Sequence, residues 1–191
     1  MKAKGTFLIF ALCATLSSPT VNARSFELVN FATEDGGDIE AAFFHASDSK
    51  AVVFAHGGVF NKESWYFLAE KFQLKGITAL SIDFRGYGNS TAGSSKKKSY
   101  DVLGAIAWLK EQGFNDINVV GGSMGGAAVL MALKNNSIPV QKAVLLAPAG
   151  GPAIESTSTD KLFVVSEKEG MFSAYMKIYK ASAEPKPKVF L

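Results

Sequence analysis

The chain contains a single cysteine, Cys13, which lies in an apolar run near the amino terminus. One cysteine cannot build a disulfide framework or a cysteine-based metal site. Leu12 precedes it, whereas lipid attachment prefers a small residue at that position. No spacing typical of metal ligands occurs elsewhere in the sequence, so we expect no metal.

The sequence also lacks an apolar run long enough to cross a bilayer. Its longest one, GTFLIFALCATL at residues 5–16, is too short for a membrane helix. The positive segment MKAK precedes this run, and SSPTVNA follows it with Val21 and Ala23 at the spacing of a cleavage site. The pattern predicts a signal peptide at residues 1–23 and export to the periplasm or the medium, the alternative being a buried helix.

Dense positive charge is confined to Lys96-Lys97-Lys98 in the segment AGSSKKKS, and the net charge is only +3. No aromatic residue is interleaved with these lysines. We therefore interpret them as a solvated loop, and we expect neither a nucleic-acid partner nor a membrane partner.

Apolar residues make up 48% of the 191 residues, enough for one globular core. SFELVNF and IEAAFFH flank the turn ATEDGGD, which predicts a β-hairpin. Later apolar runs are almost continuous, as in parallel strands covered on both faces: AVVFAHGG, ITALSIDF, INVVGGS, KAVLLAPAG, KLFVVSE and the final KVFL. Helical patterns separate most of them, so we predict an α/β fold whose mostly parallel sheet is flanked by helices, with the hairpin at its leading edge.

The motif Gly121-Gly122-Ser123-Met124-Gly125 stands between a β-branched run and an apolar helix. A tight turn there would lift the serine hydroxyl clear of the sheet, and glycines are needed where strand and helix approach closely. The N–H of Met124 would open the helix, where an anion is favoured. The motif predicts Ser123 as a nucleophile and Met124 as an oxyanion donor, the alternative being a glycine-rich turn.

A second motif, His56-Gly57-Gly58, follows the run AVVFA. Glycine at this position lets a backbone N–H face the anion that forms during acyl transfer, so Gly58 is the predicted second donor. His56 precedes the glycines, and we interpret it as a hydrogen-bonded structural residue rather than a base.

A third motif, Asp83-Phe84-Arg85-Gly86-Tyr87-Gly88-Asn89-Ser90, completes the set. With these three motifs the chain resembles the α/β-hydrolase family from the hairpin to its last residue. The resemblance implies one domain over residues 24–191 and esterase-like serine chemistry on a small acyl substrate, without a cofactor. It implies a loop-shaping role for Asp83 and Arg85, and it leaves lactonase and peptidase activity open.

The same resemblance implies that the acid of a catalytic triad follows the seventh strand. Glu169 in LFVVSEKEG matches that place, Glu167 is a neighbouring candidate, and Glu155 after the sixth strand is a weaker one. The alternative is a solvated charge cluster.

Only GGPAIESTSTD separates Ala149 from Lys161, so no cap domain fits, and we expect an open site with little selectivity between acyl groups.

A triad also needs a histidine, which the family places after the eighth strand, here KVFL. The sequence contains two histidines, His45 and His56. His45 ends a strand predicted to run antiparallel to the others, which places it at the wrong edge, and His56 is committed to its turn. We expect either an enzyme that is incomplete at its carboxyl end, favoured because the chain stops inside an apolar strand, or a pseudo-hydrolase that only binds its ligand.

Overall fold

The computed structural model describes residues 25–190, so the predicted signal peptide and Cys13 lie outside the described residues. These residues form one eight-stranded sheet in the order β1-β2-β4-β3-β5-β6-β7-β8. The strands are β1 (Glu27–Ala32), β2 (Asp38–Phe44), β3 (Lys50–Ala55), β4 (Thr78–Ile82), β5 (Asp116–Gly122), β6 (Lys142–Leu146), β7 (Asp160–Val165) and β8 (Lys188–Phe190).

Strand directions follow the sequence prediction. β1 and β2 form the antiparallel hairpin at one edge, and β2 is also antiparallel to β4. All the other neighbours are parallel. The carboxyl ends of β3 to β7 therefore meet at one edge of the sheet, and β2 ends at the opposite edge.

Four α-helices accompany the strands of the described region: α1 (Tyr66–Gln73), α2 (Ser99–Glu111), α3 (Met124–Asn135) and α4 (Phe172–Ala181). A short 3₁₀ helix, Lys62–Trp65, precedes α1. Asn61 caps this helix, since its side-chain oxygen accepts the N–H of Glu63 at 3.1 Å. No helix within residues 25–190 is long and apolar enough to cross a membrane.

Both faces of the sheet are covered by apolar side chains. On one face α1 packs through Ala69, with Leu68 and Phe72 half-buried beside it. On the other face lies the larger cluster, to which α2, α3 and α4 contribute. Val102, Ile106 and Leu109 of α2, at helical spacing, are fully buried there, and α4 contributes Ile178.

The connection between β6 and β7, residues 147–159, contains neither helix nor strand. The fold is therefore the predicted one, without a cap domain over the carboxyl edge of the sheet.

Buried Arg85 joins three parts of the chain at this edge. Its guanidinium donates to Asp35 in the hairpin turn, at 2.7 and 2.9 Å, and to Asp101 in α2, at 2.7 Å. The Arg85 hydrogen bonds hold the pKa of Asp35 far below its usual value. Asp83 and Arg85 do not form a pair with each other, since each binds partners elsewhere.

Candidate active site

Ser123 lies at a sharp turn between β5 and α3. Its backbone has φ 50° and ψ −113°, a conformation that is rare outside glycine and costs about 1–3 kcal/mol. The turn is held by the Ser123 N–H, which donates to Leu146 O at 2.9 Å, and by the Ser123 carbonyl, which accepts from Ala127 and Ala149. The residue is exposed, so its hydroxyl is open to solvent.

Glycines make this turn possible because the start of α3 nearly touches both β5 and β3. A Cβ on Gly121 would lie 2.6 Å from Gly125 O, and a Cβ on Gly125 would lie 2.2 Å from Ala55 O. Both distances are far below van der Waals contact. The middle glycine, Gly122, has room, since a Cβ there would meet only Trp65 at 3.7 Å.

Gly58 and Met124 are neighbours beside this turn. A Cβ on Gly58 would have Met124 Sδ as its nearest atom, 3.8 Å away. Neither N–H has a hydrogen-bond acceptor among the described residues. Met124 is also the first residue of α3, where unpaired N–H groups and the helix dipole favour negative charge.

Tyr87 braces the Gly58 peptide, a contact that the sequence analysis missed. Its hydroxyl donates to Gly58 O at 2.7 Å and lies 3.7 Å from Met124 Sδ. The only signal in the sequence was its place in the Asp83–Ser90 motif, which by itself says nothing about Gly58.

His56 is completely buried beneath the two glycines, and both of its ring nitrogens are engaged. Nε2 accepts the N–H of Phe84 at 3.2 Å, so Nδ1 carries the proton and donates to Gly57 O at 2.8 Å. Burial lowers the pKa of His56. The ring is thus a neutral structural element, in agreement with the role predicted for it.

His45 lies at the opposite edge of the sheet, after β2, and its Nε2 bonds Asp48 at 2.8 Å. Neither histidine of the chain contacts Ser123. Within residues 25–190 the Ser123 hydroxyl has no hydrogen-bond partner.

Glu169 follows β7 at the same edge as Ser123, and it is exposed. Its carboxylate accepts a hydrogen bond from the hydroxyl of Tyr175 at 3.0 Å. Burial, followed by this bond, raises the pKa of Tyr175. Because β6 lies between β5 and β7, the two loops leave the sheet about 10 Å apart. Glu167 and Glu155 are also exposed.

A cavity of about 330 Å³ opens next to Ser123. Its wall is mainly apolar and is formed by Gly57, Phe60, Ser64, Trp65, Gly122 and Ser123. The ring of Phe60 is 58% exposed, so it forms part of the mouth.

A buried ion cluster anchors the segment that forms this cavity. Lys62 Nζ donates to Glu40 at 2.7 Å and to Asp83 at 2.6 Å, and the Lys62 N–H also donates to Asp83. The 3₁₀ helix is thereby held to the ends of β2 and β4. Nothing in the sequence pattern marked Lys62 or Glu40, because their pairing depends on strands that meet only in the fold.

A family model described as "alpha/beta hydrolase fold" matches residues 50–175, which is more than half of the chain. The chain belongs to the alpha/beta hydrolase fold family. A comparison with curated protein sequences found no match.

Solved structures share this hydrolase fold at low sequence identity. An esterase from Pyrococcus furiosus, Pf2001, superposes with a TM-score of 0.71 at 16% identity, covering 86% of this chain and 80% of that one. The alpha/beta hydrolase GrgF from Penicillium sp. sh18 gives 0.73 at 18% identity, with 87% and 89% covered. The esterase EaEST from Exiguobacterium antarcticum gives 0.70 at 16%, with 85% and 90% covered. Identities this low establish the fold alone.

In this hydrolase-fold chain the structure brings together three of the four predicted site residues, Ser123, Gly58 and Met124. Glu169 lies at the same edge of the sheet, but its loop is separated from the loop of Ser123 by the spacing of two strands. Within residues 25–190, no group of three or more histidine, cysteine, aspartate or glutamate side chains is arranged to hold a metal ion.

Proposed function

We propose that the chain is a serine hydrolase that acts on carboxylic esters or similar small acyl compounds. Ser123 Oγ attacks the acyl carbon, a C–O bond forms, and the carbonyl π electrons move onto the carbonyl oxygen. The N–H groups of Gly58 and Met124 bind the resulting oxyanion. When the electrons of the oxyanion return, the C–O bond to the alcohol breaks, the alcohol leaves after taking a proton from solvent, and water then hydrolyses the ester of Ser123. The observation that carries this proposal is an exposed, strained serine beside two unpaired backbone N–H groups.

The apolar cavity at Phe60 and Trp65 holds one side of the substrate. Its volume of about 330 Å³ suits a short chain or a small ring, and its wall excludes water from that side of the acyl carbon. The hydroxyl proton of Ser123 must leave as the bond forms, which requires a base.

The position of Glu169 supports a role as the acid of a triad. About 10 Å between its loop and that of Ser123 leaves room for one imidazole ring between the two side chains. The hydrogen bond from Tyr175 holds the carboxylate at that place. Neither histidine of this chain can supply the ring, so the chain by itself gives residual turnover, with water or hydroxide removing the proton.

Chemical rescue with imidazole tests this assignment. We expect a fluorophosphonate probe to label Ser123 slowly, as measured by intact-protein mass spectrometry, and added imidazole to accelerate labelling until it saturates. Ser123→Ala removes labelling. Glu169→Gln lowers the imidazole effect about tenfold, while the matched Glu167→Gln leaves it unchanged. Labelling that persists in Ser123→Ala, or an absence of labelling even with imidazole, would refute the proposal.

A second candidate is a pseudo-hydrolase that binds acyl compounds without turnover, favoured because the Ser123 hydroxyl has no hydrogen-bond partner within residues 25–190. It predicts ester binding in the cavity, detected by quenching of Trp65 fluorescence, with no probe labelling under any condition.

Export of the chain is a separate proposal, based on the pattern of residues 1–23. Protein recovered outside the cytoplasm with Arg24 as its first residue would support it.

A further inference from the structure

Lys96 and Lys97 are exposed and Lys98 is half-buried, in the loop that leads into α2. Residues 96–98 and Ser99 lie against α3 and form one wall of a groove of about 300 Å³. The other wall is one face of α3, with residues at helical spacing: Met124, Ala127, Ala128 and Met131. The groove has a mainly apolar lining to which three lysine side chains contribute, and we call it the lysine groove.

None of these lysines is neutralised by a carboxylate. The ion pairs of the described residues use other basic side chains, and Lys96, Lys97 and Lys98 take part in none of them. Asp101, one turn into α2, is committed to Arg85. The three lysines therefore have no ion-pair partner in the described part of the chain, and the charge of Asp101 acts on Lys98 only at longer range.

The lysine groove adjoins the proposed oxyanion site. Met124 belongs to both, since its N–H is a proposed oxyanion donor and its side chain lines the groove. Lys98 Nζ lies 5.6 Å from the centroid of the Tyr87 ring, whose hydroxyl braces Gly58. The cavity of Phe60 and Trp65 also reaches Ser123 but has no lysine in its wall. Ser123 therefore lies between an apolar cavity and a basic groove.

We infer that the substrate is an ester with an apolar group on one side of the scissile bond and a carboxylate or similar anion on the other. The apolar group occupies the cavity, and a short methylene spacer lies along Met124 and Met131. The anion is held by Lys96, Lys97 and Lys98. This inference rests on the proposed function, because it assigns substrate parts to the two sides of Ser123.

The dimensions of the lysine groove favour a small molecule over a polymer. About 300 Å³ accommodates a chain of a few carbons with a charged end, and no aromatic side chain is among the groove's lining residues to stack a base. The exposed Met131, 39% accessible, provides the apolar contact that a methylene spacer needs.

Binding to the Ser123→Ala variant tests the inference without turnover. The ligands are monobutyl succinate, which is anionic, and butyl methyl succinate, its neutral counterpart, measured by calorimetry at low salt. We expect about tenfold tighter binding of the anionic ester, and a preference that shrinks as salt is added. Lys96→Gln, Lys97→Gln and Lys98→Gln together abolish the preference.

A matched control removes three exposed lysines elsewhere: Lys75→Gln, Lys134→Gln and Lys177→Gln together. This control has the same net charge as the variant that lacks Lys96, Lys97 and Lys98. If the position of the lysines matters and not the total charge, the control keeps the preference for the anionic ester. Equal affinities for the two esters, no binding of monobutyl succinate, or equal loss in both triple variants would overturn the inference. Binding to phosphatidylglycerol vesicles without ester preference would overturn it too, and would assign the lysines to a membrane surface.

The two proposals fail separately. If the probe does not label Ser123 but monobutyl succinate binds in a lysine-dependent way, the anion subsite is supported and hydrolysis is refuted. If Ser123 is labelled with imidazole but the esters bind equally, hydrolysis is supported and the anion subsite is refuted.

Discussion

At the scale of single residues, the site depends on two glycines and one strained serine. The backbone of Ser123 stores about 1–3 kcal/mol of strain, and three backbone hydrogen bonds around it offset that cost. Gly121 is needed because of Gly125, a near neighbour in the chain, whereas Gly125 is needed because Ala55 of the distant strand β3 lies against it. The motif by itself therefore carried the first reason but not the second.

We predict that Gly125→Ala destabilises the protein by about 3 kcal/mol and abolishes probe labelling of Ser123, because the new methyl group would lie 2.2 Å from Ala55 O. Gly122→Ala is the matched control from the same motif, with its nearest contact at 3.7 Å. Its stability should stay within about 0.5 kcal/mol of the parent. Urea unfolding measures both, and an equally stable Gly125→Ala protein would contradict the close approach of β3 and α3.

At the scale of secondary-structure elements, charged side chains fasten loops to the carboxyl edge of the sheet. Lys62 holds the 3₁₀ helix to β2 and β4 through Glu40 and Asp83. These bonds raise the pKa of Lys62 despite its burial and lower that of Glu40. Arg85 joins the hairpin turn, the loop after β4 and α2 in the same way. Ion pairs therefore fix the loops around the site at the carboxyl edge of the sheet, whereas the sheet itself is packed by apolar side chains.

Lys62→Met should destabilise the protein by about 3 kcal/mol, because it leaves two buried carboxylates without their counter-ion. Lys142→Met is the control, since its pair with Asp160 is more than half exposed and adds little to stability. Thermal unfolding at pH 7 compares the two variants. A small effect of Lys62→Met would mean that water or rearrangement solvates Glu40 and Asp83.

At the scale of the whole molecule, the buried titratable groups set the response to acid. His56 has a pKa below its ordinary value of 6.5 because of burial, so the unfolded chain binds a proton there more readily than the folded one. Its stabilising effect is complete above pH 6.5 and is lost as the pH falls from 6.5 towards the folded pKa. Asp35 and Glu40, with lowered pKa values, lose theirs below about pH 4.5. The contribution of Asp101 to the pH dependence of stability has the opposite sign, since burial raises its pKa despite the hydrogen bonds from Arg85.

We predict that the free energy of unfolding is constant from pH 8 to 6.5 and then declines by at most about 1.4 kcal/mol per pH unit for this one proton. His56→Gln is less stable at pH 8, because Phe84 loses its acceptor, but it lacks the decline that begins at pH 6.5. The control His45→Gln keeps that decline. Urea titrations at each pH provide the measurement, and an unchanged decline in His56→Gln would show that His56 is not its source.

The sequence by itself determined the alternation of strands and helices, the hairpin and the turn at Ser123. Each of these depends on periodicity or on sterics within a few residues, and the structure reproduces them. It also indicated that His56 is structural, from its place before two glycines.

Only the tertiary structure decided which charges meet. Lys62 bonds a carboxylate in β2 and another just after β4. Arg85 joins a turn and a helix, and Lys96–Lys98 lie along the face of α3 beside Met124. These contacts join segments far apart in the chain, and no local pattern records them. The sequence does not distinguish a lysine that lines an apolar groove from a lysine in open solvent. The distinction depends on which other helix or strand packs beside the lysine in the fold.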